Sequence, residues 1–397
     1  MWTPAEATAL PLSPQAELAP GLAVDTARVR RPQYGRYLDD LEPGRVFAHP
    51  RGMTFDRAGM TAFARTYMQA NPLYLNEVYA RAHGFRDIPA SPQMVFNATL
   101  SLGVQNDSEK AIANLGYYDV QFLRPVYAGD TLTAFTRVKD RQDRGPGKPG
   151  IATIQTLSVN QAGLVVLQYT RKIMVGHRPD GAVPGQPPAP GVKFPFDAEA
   201  VAELPQVPGT CPANLTGPDT YFEDFAPGDI IVHANGRTIT DEHMALTYLI
   251  GNSHPLHFDR IYSTGLSGKM SGEPIVYGGL VFAWLEGLAS RDTTENALWE
   301  LGFTEGYHTQ PAVSGDTVAA LSRVLDAGPA HGALGEVAGI VTFQLIGVKG
   351  VSAAAALDTH GADLFVKEND KKGLGKEKIP AKIFEIERRV LIKRRPR

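Results

Sequence analysis

YLIGNSHPLHFDRIYSTGL (residues 248–266) is a second copy of a pattern used earlier in the chain, YMQANPLYLNEVYARAHGF (residues 67–85). The likeness extends to both sides. Upstream, YLDDLEPGRVF (37–47) matches YFEDFAPGDII (221–231). Downstream, NDSEKAIANLGYYDVQFLRPVYAGDTLTAFTRV (106–138) matches RDTTENALWELGFTEGYHTQPAVSGDTVAALSRV (291–324). Gly44 pairs with Gly228, Pro72 with Pro255, Tyr74 with His257 and Gly129 with Gly315, at separations of 184, 183, 183 and 186 residues. Solenoid repeats run to about 20–50 residues, so a period this long with so little drift marks a duplicated domain.

Working outward from the repeat gives the domain plan. Residues 1–35 read as a flexible N-terminal tail, 36–178 as a first domain, 179–217 as a linker and 218–397 as a second domain with an insertion at about 351–380. The linker segment is rich in proline and glycine, which favours a semi-extended connector. In the first copy GIATIQTLSVNQAGLVVLQYTRKIMV (150–175) has β-type composition broken at NQAG, the pattern of a hairpin of two long strands. The second copy starts in the same way with EVAGIVTFQLIGV, but its returning strand arrives only at AKIFEIERRVLI (381–392), so the residues between are inserted within one sheet. Each copy therefore reads as entry loop, strand, helices and several antiparallel strands. The α+β solution for that order is one central helix against an antiparallel sheet. Joining the two sheets edge to edge would remove an open edge from each.

Composition narrows the function. A chain of 397 residues is too long for one ordinary core, and its 43% hydrophobic and 20% charged residues are those of a globular protein. A net charge of -3 supplies no field that would recruit nucleic acid or anionic lipid. Cys211 is the only cysteine, which excludes a disulfide framework and a thiolate metal cluster and suits the cytoplasm. The N-terminal residues lack the basic and apolar regions of a secretory signal, and the most apolar stretch, PIVYGGLVFAWLEGLAS (274–290), is short for a membrane span and carries Glu286. It reads as a buried helix. The basic C-terminal twenty residues read as a terminal strand with one solvated face.

GNSHPLHFDRIY, followed by PIVYGGLVFAW and QPAVSGDTVAA, resembles the MaoC-type dehydratase pattern of the hot-dog superfamily. Two such halves in one chain, with RDTTENALWELGF, resemble more narrowly the mesaconyl-CoA (2-methylfumaryl-CoA) hydratase group. The resemblance implies an α+β double hot-dog fold, two tandem domains each with an antiparallel sheet around a central helix. It implies a hydro-lyase that hydrates mesaconyl-CoA reversibly to β-methylmalyl-CoA, with CoA entering as part of the substrate and no cofactor; no catalytic metal is expected, since His254 and His257 at i,i+3 lack a third ligand nearby. A general enoyl-CoA hydratase and a non-catalytic acyl-thioester-binding protein are the alternatives, and homo-oligomer formation is left open.

The MaoC pattern offers Asp, then Asn, Pro and His at fixed spacing; this chain has Asn252 in place of the Asp, then His254, Pro255 and His257. The resemblance thus implies His257 as the catalytic imidazole. Its chemistry fits independently. Hydration of an α,β-unsaturated thioester takes a proton from water and gives one to the α-carbon, and a histidine can do either near neutrality. The competing reading is a helix-start residue bound to a local carbonyl. Asn252 can orient water or thioester through its amide but cannot serve as a base. His254 is a second acid/base group, a partner for a substrate carboxylate or a turn residue. Asp259 and Glu273 are the nearest carboxylates in sequence and read as surface or helix-start groups.

Tyr277, Gly278 and Gly279 open a helix whose free N–H groups could bind a developing oxyanion, where the family usually has His-Gly; close packing of the glycines is the alternative. The first copy has Gln69 and Tyr74 at the positions of Asn252 and His257 and Pro92 at the oxyanion segment, so it reads as degenerate. Arg86, Arg124, Lys269 and Arg291 are candidates for CoA phosphates or a carboxylate on side-chain chemistry alone. A dicarboxylic substrate would need a buried cation near His257, a fatty one an apolar tunnel.

Overall fold

The computed structural model describes residues 16–19, 22–24, 28–30, 32–180, 202–204, 215–266 and 272–396. Its contacts divide into two units, Met1–Tyr34 and Gly35–Arg397. In the first, β1 (Ala16–Ala19) pairs antiparallel with β2 (Leu22–Val24), so the stretch expected to be a bare tail carries a hairpin. Most of the linker expected at 179–217, including Cys211, lies outside the described residues.

The second unit builds the duplicated pattern twice. The first copy runs β3 (Val46–Ala48), β4 (Met53–Thr54), α1 (Arg57–Thr66), α2 (Glu77–Ala82), α3 (Pro92–Gly103), β5 (Ala111–Phe122), β6 (Thr131–Gln142), β7 (Gly150–Val159) and β8 (Val165–Val175). The second runs β9 (Ile230–Thr238), α4 (Glu242–Leu249), α5 (Arg260–Thr264), α6 (Gly278–Thr293), β10 (Ala297–His308), β11 (Thr317–Pro329), β12 (Ala338–Lys349), α7 (Ala353–His360) and β13 (Lys382–Lys393). All these strands join one antiparallel sheet in the order β3-β6-β7-β8-β5-β10-β13-β12-β11-β9, with β4 alongside β6. The order is the same from either end when the copies are exchanged. β5 and β10 meet at the centre, pairing Phe303 with Val120 and Gly306 with Tyr117. Neither copy keeps an open edge there, which is the reason edge strands pair.

A bulge in each central strand falls at the same place in both copies, between Asn114 and Gly116 in β5 and between Glu300 and Gly302 in β10. Glycine is required at the second of these. Gly302 has φ +152°, and a Cβ would stand 1.8 Å from the Val120 carbonyl across the seam. The central helices are buried along almost their whole length, which is why α6 is mostly apolar up to Ala289. They touch directly: Phe96 meets Phe282 edge to face at 6.4 Å, and Asn97 Nδ2 donates to the Gly279 carbonyl at 3.1 Å. One large hydrophobic cluster draws on both copies.

β13 departs from expectation. A strand with one solvated face was expected, yet only Arg389 is exposed along it. Position explains this, since β13 lies between β10 and β12, and the inserted segment contacts it at Lys382, Glu385 and Glu387. Leu364 and Phe365 pack on Leu321, Ile346 and Val348, while Lys382 donates to the Val366 carbonyl and pairs with Glu385 at 2.6 Å. Charges that looked like a solvated face are therefore buried and paired, as burial of charge demands. No helix among the described residues is long and apolar enough to cross a membrane.

Candidate active site

The turn that carries His257 is built by side chains acting on backbone. Asn252 Oδ1 accepts from the His254 N–H at 3.0 Å, His254 Nδ1 accepts from the Leu256 N–H at 3.2 Å, and Pro255 opens one 3-10 turn, Pro255–His257. The first copy uses the same wiring: Gln69 Oε1 accepts from the Asn71 N–H at 3.1 Å, and Asn71 Oδ1 from the Leu73 N–H at 2.9 Å. His254 thus stands where the other copy has an asparagine N-cap. Its remaining nitrogen, Nε2, reaches the Ala111 carbonyl at 3.3 Å. A carbonyl only accepts, so His254 holds its proton on Nε2 and both nitrogens are engaged. Burial lowers its pKa to about 4.

His257 is held at one nitrogen only. Nδ1 lies 2.9 Å from the Ile275 carbonyl and must be the protonated nitrogen, which leaves the Nε2 lone pair without a partner among the described residues. Burial, with smaller contributions from neighbouring imidazoles led by His254, pushes its pKa down to about 3. The ring is therefore neutral and able to accept a proton at ordinary pH. It lines a cavity of about 440 Å³.

The cavity lies between the copies. From the second come Asn252, His254, His257, Tyr277, Gly278 and His308; from the first come Leu100, Ala111, Asn114, Tyr117 and Arg171. Gly278 begins α6, and Tyr277 gives that helix no side-chain cap, whereas in the first copy Ser91 caps α3 and Pro92 removes a donor. An uncapped helix start leaves N–H groups and the positive end of the dipole free for an anion. Tight packing holds at the same glycines. A Cβ on Gly278 would meet the His308 ring at 2.6 Å, and one on Gly279 would meet Asn97 Oδ1 at 1.8 Å. Gly279 does not line the cavity, and the Tyr277 ring stacks obliquely on His257 with centroids 5.4 Å apart.

The equivalent place in the first copy is filled. Tyr74, Pro92 and Trp299 surround a void of about 20 Å³, with the Trp299 indole, which replaces Ala113, donating to the Phe122 carbonyl at 3.0 Å. Beside it Arg388 pairs with Glu286 at 3.0 Å and Glu300 at 2.5 Å, and Gln69 Nε2 donates to Glu286 at 2.8 Å.

The basic candidates chosen by chemistry alone are not at this cavity. Arg86 lies over the Tyr127 ring and pairs with Asp130, Arg124 binds the Val165 carbonyl and Glu203, and Arg291 is an exposed residue near Glu295. Lys269 lies outside the described residues. Among the described residues the lysine and arginine side chains lining the cavity are instead Arg171 and Lys378, the latter contributed by the insertion. Asp259 caps α5 through the Ile261 and Tyr262 N–H groups, and Glu273 pairs with Arg260. Sequence reading also missed His308, whose Nε2 is 3.4 Å from the Tyr117 hydroxyl and whose pKa burial lowers to about 4. The available signal was its alignment with Phe122, a polar residue at an apolar position. Among the described residues no three His, Cys, Asp or Glu side chains gather into a metal-binding group.

Comparison with known proteins agrees with this architecture. The family model for mesaconyl-CoA hydratase matches residues 21–353. A mesaconyl-CoA hydratase of Cereibacter sphaeroides is 31% identical over 345 residues, 85% of this chain and 93% of that one. A beta-methylmalyl-CoA dehydratase of Chloroflexus aurantiacus is 32% identical over 300 residues, 73% and 82% of the two chains. Among solved structures, a MaoC domain dehydratase from Chloroflexus aurantiacus superposes with TM-score 0.74 at 26% identity, covering 91% of this chain and 98% of the other. A Mycobacterium tuberculosis protein described as a double hotdog fold superposes at 0.68 with 22% identity over 90% and 98%. The double hot-dog fold implied by the motifs is the fold of this chain, and the chain belongs to the mesaconyl-CoA hydratase family.

Proposed function

We propose that this protein is an acyl-CoA hydro-lyase that adds water reversibly to mesaconyl-CoA, forming β-methylmalyl-CoA, with His257 as its proton-transfer group. The observation that carries the reading is the free Nε2 of a neutral His257 facing a cavity that also receives the uncapped start of α6 at Gly278. Family membership supports the substrate.

The reaction needs one proton removed from water and one delivered to the α-carbon. Water attacks the β-carbon while Nε2 takes its proton; the same imidazolium then gives a proton to the α-carbon, so the net change is addition of water. One histidine serves both steps, which fits a chain that lacks the motif's Asp. His254 has both nitrogens occupied by the fold and acts as a support for the turn. Asn252 spends Oδ1 on the His254 N–H, so its amide Nδ2 is the part left to orient water or substrate. The thioester oxygen gains charge as the β-carbon is attacked, and the Gly278 N–H at the positive end of α6 is the donor assigned to it in this reading. Gly279 and Tyr277 shape that helix start.

A general enoyl-CoA hydratase is the second reading, favoured by apolar cavity walls that include Leu100, Ile112 and Val281. Hydration rates with mesaconyl-CoA and crotonyl-CoA separate the two. A kcat/KM for crotonyl-CoA equal to or above that for mesaconyl-CoA would favour the general hydratase.

A further inference from the structure

We infer that Arg171 is the residue that recognises the free carboxylate of the substrate, in the place where the degenerate site holds a carboxylate of its own, Glu300. The inference rests on the proposed hydration of mesaconyl-CoA and names the group that would make the enzyme selective for a dicarboxylic acyl chain.

Strand register makes Arg171 and Arg388 counterparts. Arg171 of β8 lies opposite Tyr117 of β5, and Arg388 of β13 lies opposite Phe303 of β10. Three residues before these partners, at the same bulge, stand Asn114 and Glu300. The two arginines are both buried, at 3% exposure, yet they are satisfied differently. Arg388 donates from Nη2 to Glu286 and Glu300 and from Nε to Glu300 at 3.2 Å. Arg171 donates from Nη2 to Asp107 and to Ser108, each at 2.7 Å, and its Nε has no hydrogen-bond partner. A buried guanidinium N–H left without an acceptor costs free energy that a ligand carboxylate can recover.

The cavity reaches this arginine. In the degenerate site the second carboxylate of the arginine comes from β10, and Trp299 closes the remaining room. In the open site the matching residues are Asn114 and Ala113, and both line the cavity together with Arg171 and His257. One half of the chain thus shows, with its own side chains, a guanidinium in this fold holding two acidic side chains; the other half supplies one, Asp107, and has Asn114 at the second position.

The chemistry calls for a cation here. In mesaconyl-CoA the free carboxylate sits on the β-carbon, the atom water attacks. Its negative charge opposes approach of an oxygen nucleophile, and a guanidinium bound to it offsets that repulsion while fixing which face of the double bond meets His257.

The test compares wild type, Arg171→Lys and Asn114→Glu in steady-state hydration of mesaconyl-CoA and crotonyl-CoA, with urea unfolding on each protein. Breaking a buried charge-assisted pair corresponds to roughly 30-fold or more, so Arg171→Lys is expected to shift the kcat/KM ratio toward crotonyl-CoA by about that factor whatever the absolute rates. Asn114→Glu recreates the Glu300 arrangement; it is expected to abolish mesaconyl-CoA hydration in a protein that unfolds at or above the wild-type urea midpoint. Should Arg171→Lys fail to fold, the Asn114→Glu result decides. Unchanged selectivity in either folded variant, with wild type active on mesaconyl-CoA, overturns the inference alone. A wild type that hydrates crotonyl-CoA and not mesaconyl-CoA overturns the proposed function and the inference with it.

Discussion

Replacing His257 by alanine separates chemistry from fold. Removing a positioned acid/base group costs about 10²–10⁴ in rate, or about 2.7–5.5 kcal/mol of barrier. The structural cost is small by comparison. The side chain makes one hydrogen bond, from Nδ1 to the Ile275 carbonyl, worth about 1 kcal/mol net, and it borders a cavity of about 440 Å³ from which water can solvate the freed carbonyl. His257→Ala is therefore expected to fold, with a urea-unfolding loss of about 1–2 kcal/mol, and to lose at least two decades in kcat/KM, read from decay of enoyl-thioester absorbance. Tyr74→Phe is the control. Tyr74 is buried beside a void of about 20 Å³ that admits no acyl chain, and burial raises its hydroxyl pKa far above neutrality. Turnover by that variant should stay near wild type. A folded His257→Ala protein with near-normal hydration, or a Tyr74→Phe protein that fails while His257→Ala works, would refute the assignment of chemistry to this cavity.

Three further outcomes are expected. Since burial puts the His257 pKa at about 3, its base form persists well into acid, and kcat/KM should be flat from pH 8 to 5; an acid limb centred near 6.5 would contradict this. Stability should fall in the same range, because His49, His83, His254 and His308 have folded pKa values of about 4 against about 6.5 when unfolded. Between those values the unfolded chain binds more protons, so acid favours it, by at most about 1.4 kcal/mol per pH unit for each histidine. A urea midpoint that stays constant from pH 7 to 5 would show those rings titrating normally. Trp299→Ala should cost about 3–5 kcal/mol of stability by emptying the filled site, without lowering kcat/KM of the folded protein; a large activity loss would mean that the two sites are coupled.

The fold was legible because duplication writes each constraint twice. Gly44 and Gly228 both have positive φ, as do Gly129 and Gly315, so a local need for glycine recurs at the repeat spacing. Asn252 and His257 were legible as a pair because the turn that presents them is short and carried by a contiguous motif. The meaning of His254 was not: the repeat pairs it with Asn71, but only the bond from the Leu256 N–H to its Nδ1 identifies it as a cap. Arg171 sits in TRKIMV, an ordinary alternating strand, and nothing local distinguishes it from Lys172. What singles it out is its partner Tyr117 on β5, 54 residues earlier in sequence, and a cavity assembled across the seam between the copies. Arg86, Arg124 and Arg291 are equally arginine-like in sequence and are drawn by topology to other faces.

Glu300 has a consequence that belongs to symmetry. Two identical subunits paired about a two-fold axis present every residue twice, so a glutamate at that position would stand beside both equivalent arginines and occupy both cavities at once. In a single chain the two positions are spelled independently, and β10 can hold Glu300 while β5 holds Asn114. Covalent fusion thereby lets one site be filled by the Arg388–Glu300 pair and a tryptophan, while its twin keeps a cavity and an arginine whose Nε has no acceptor.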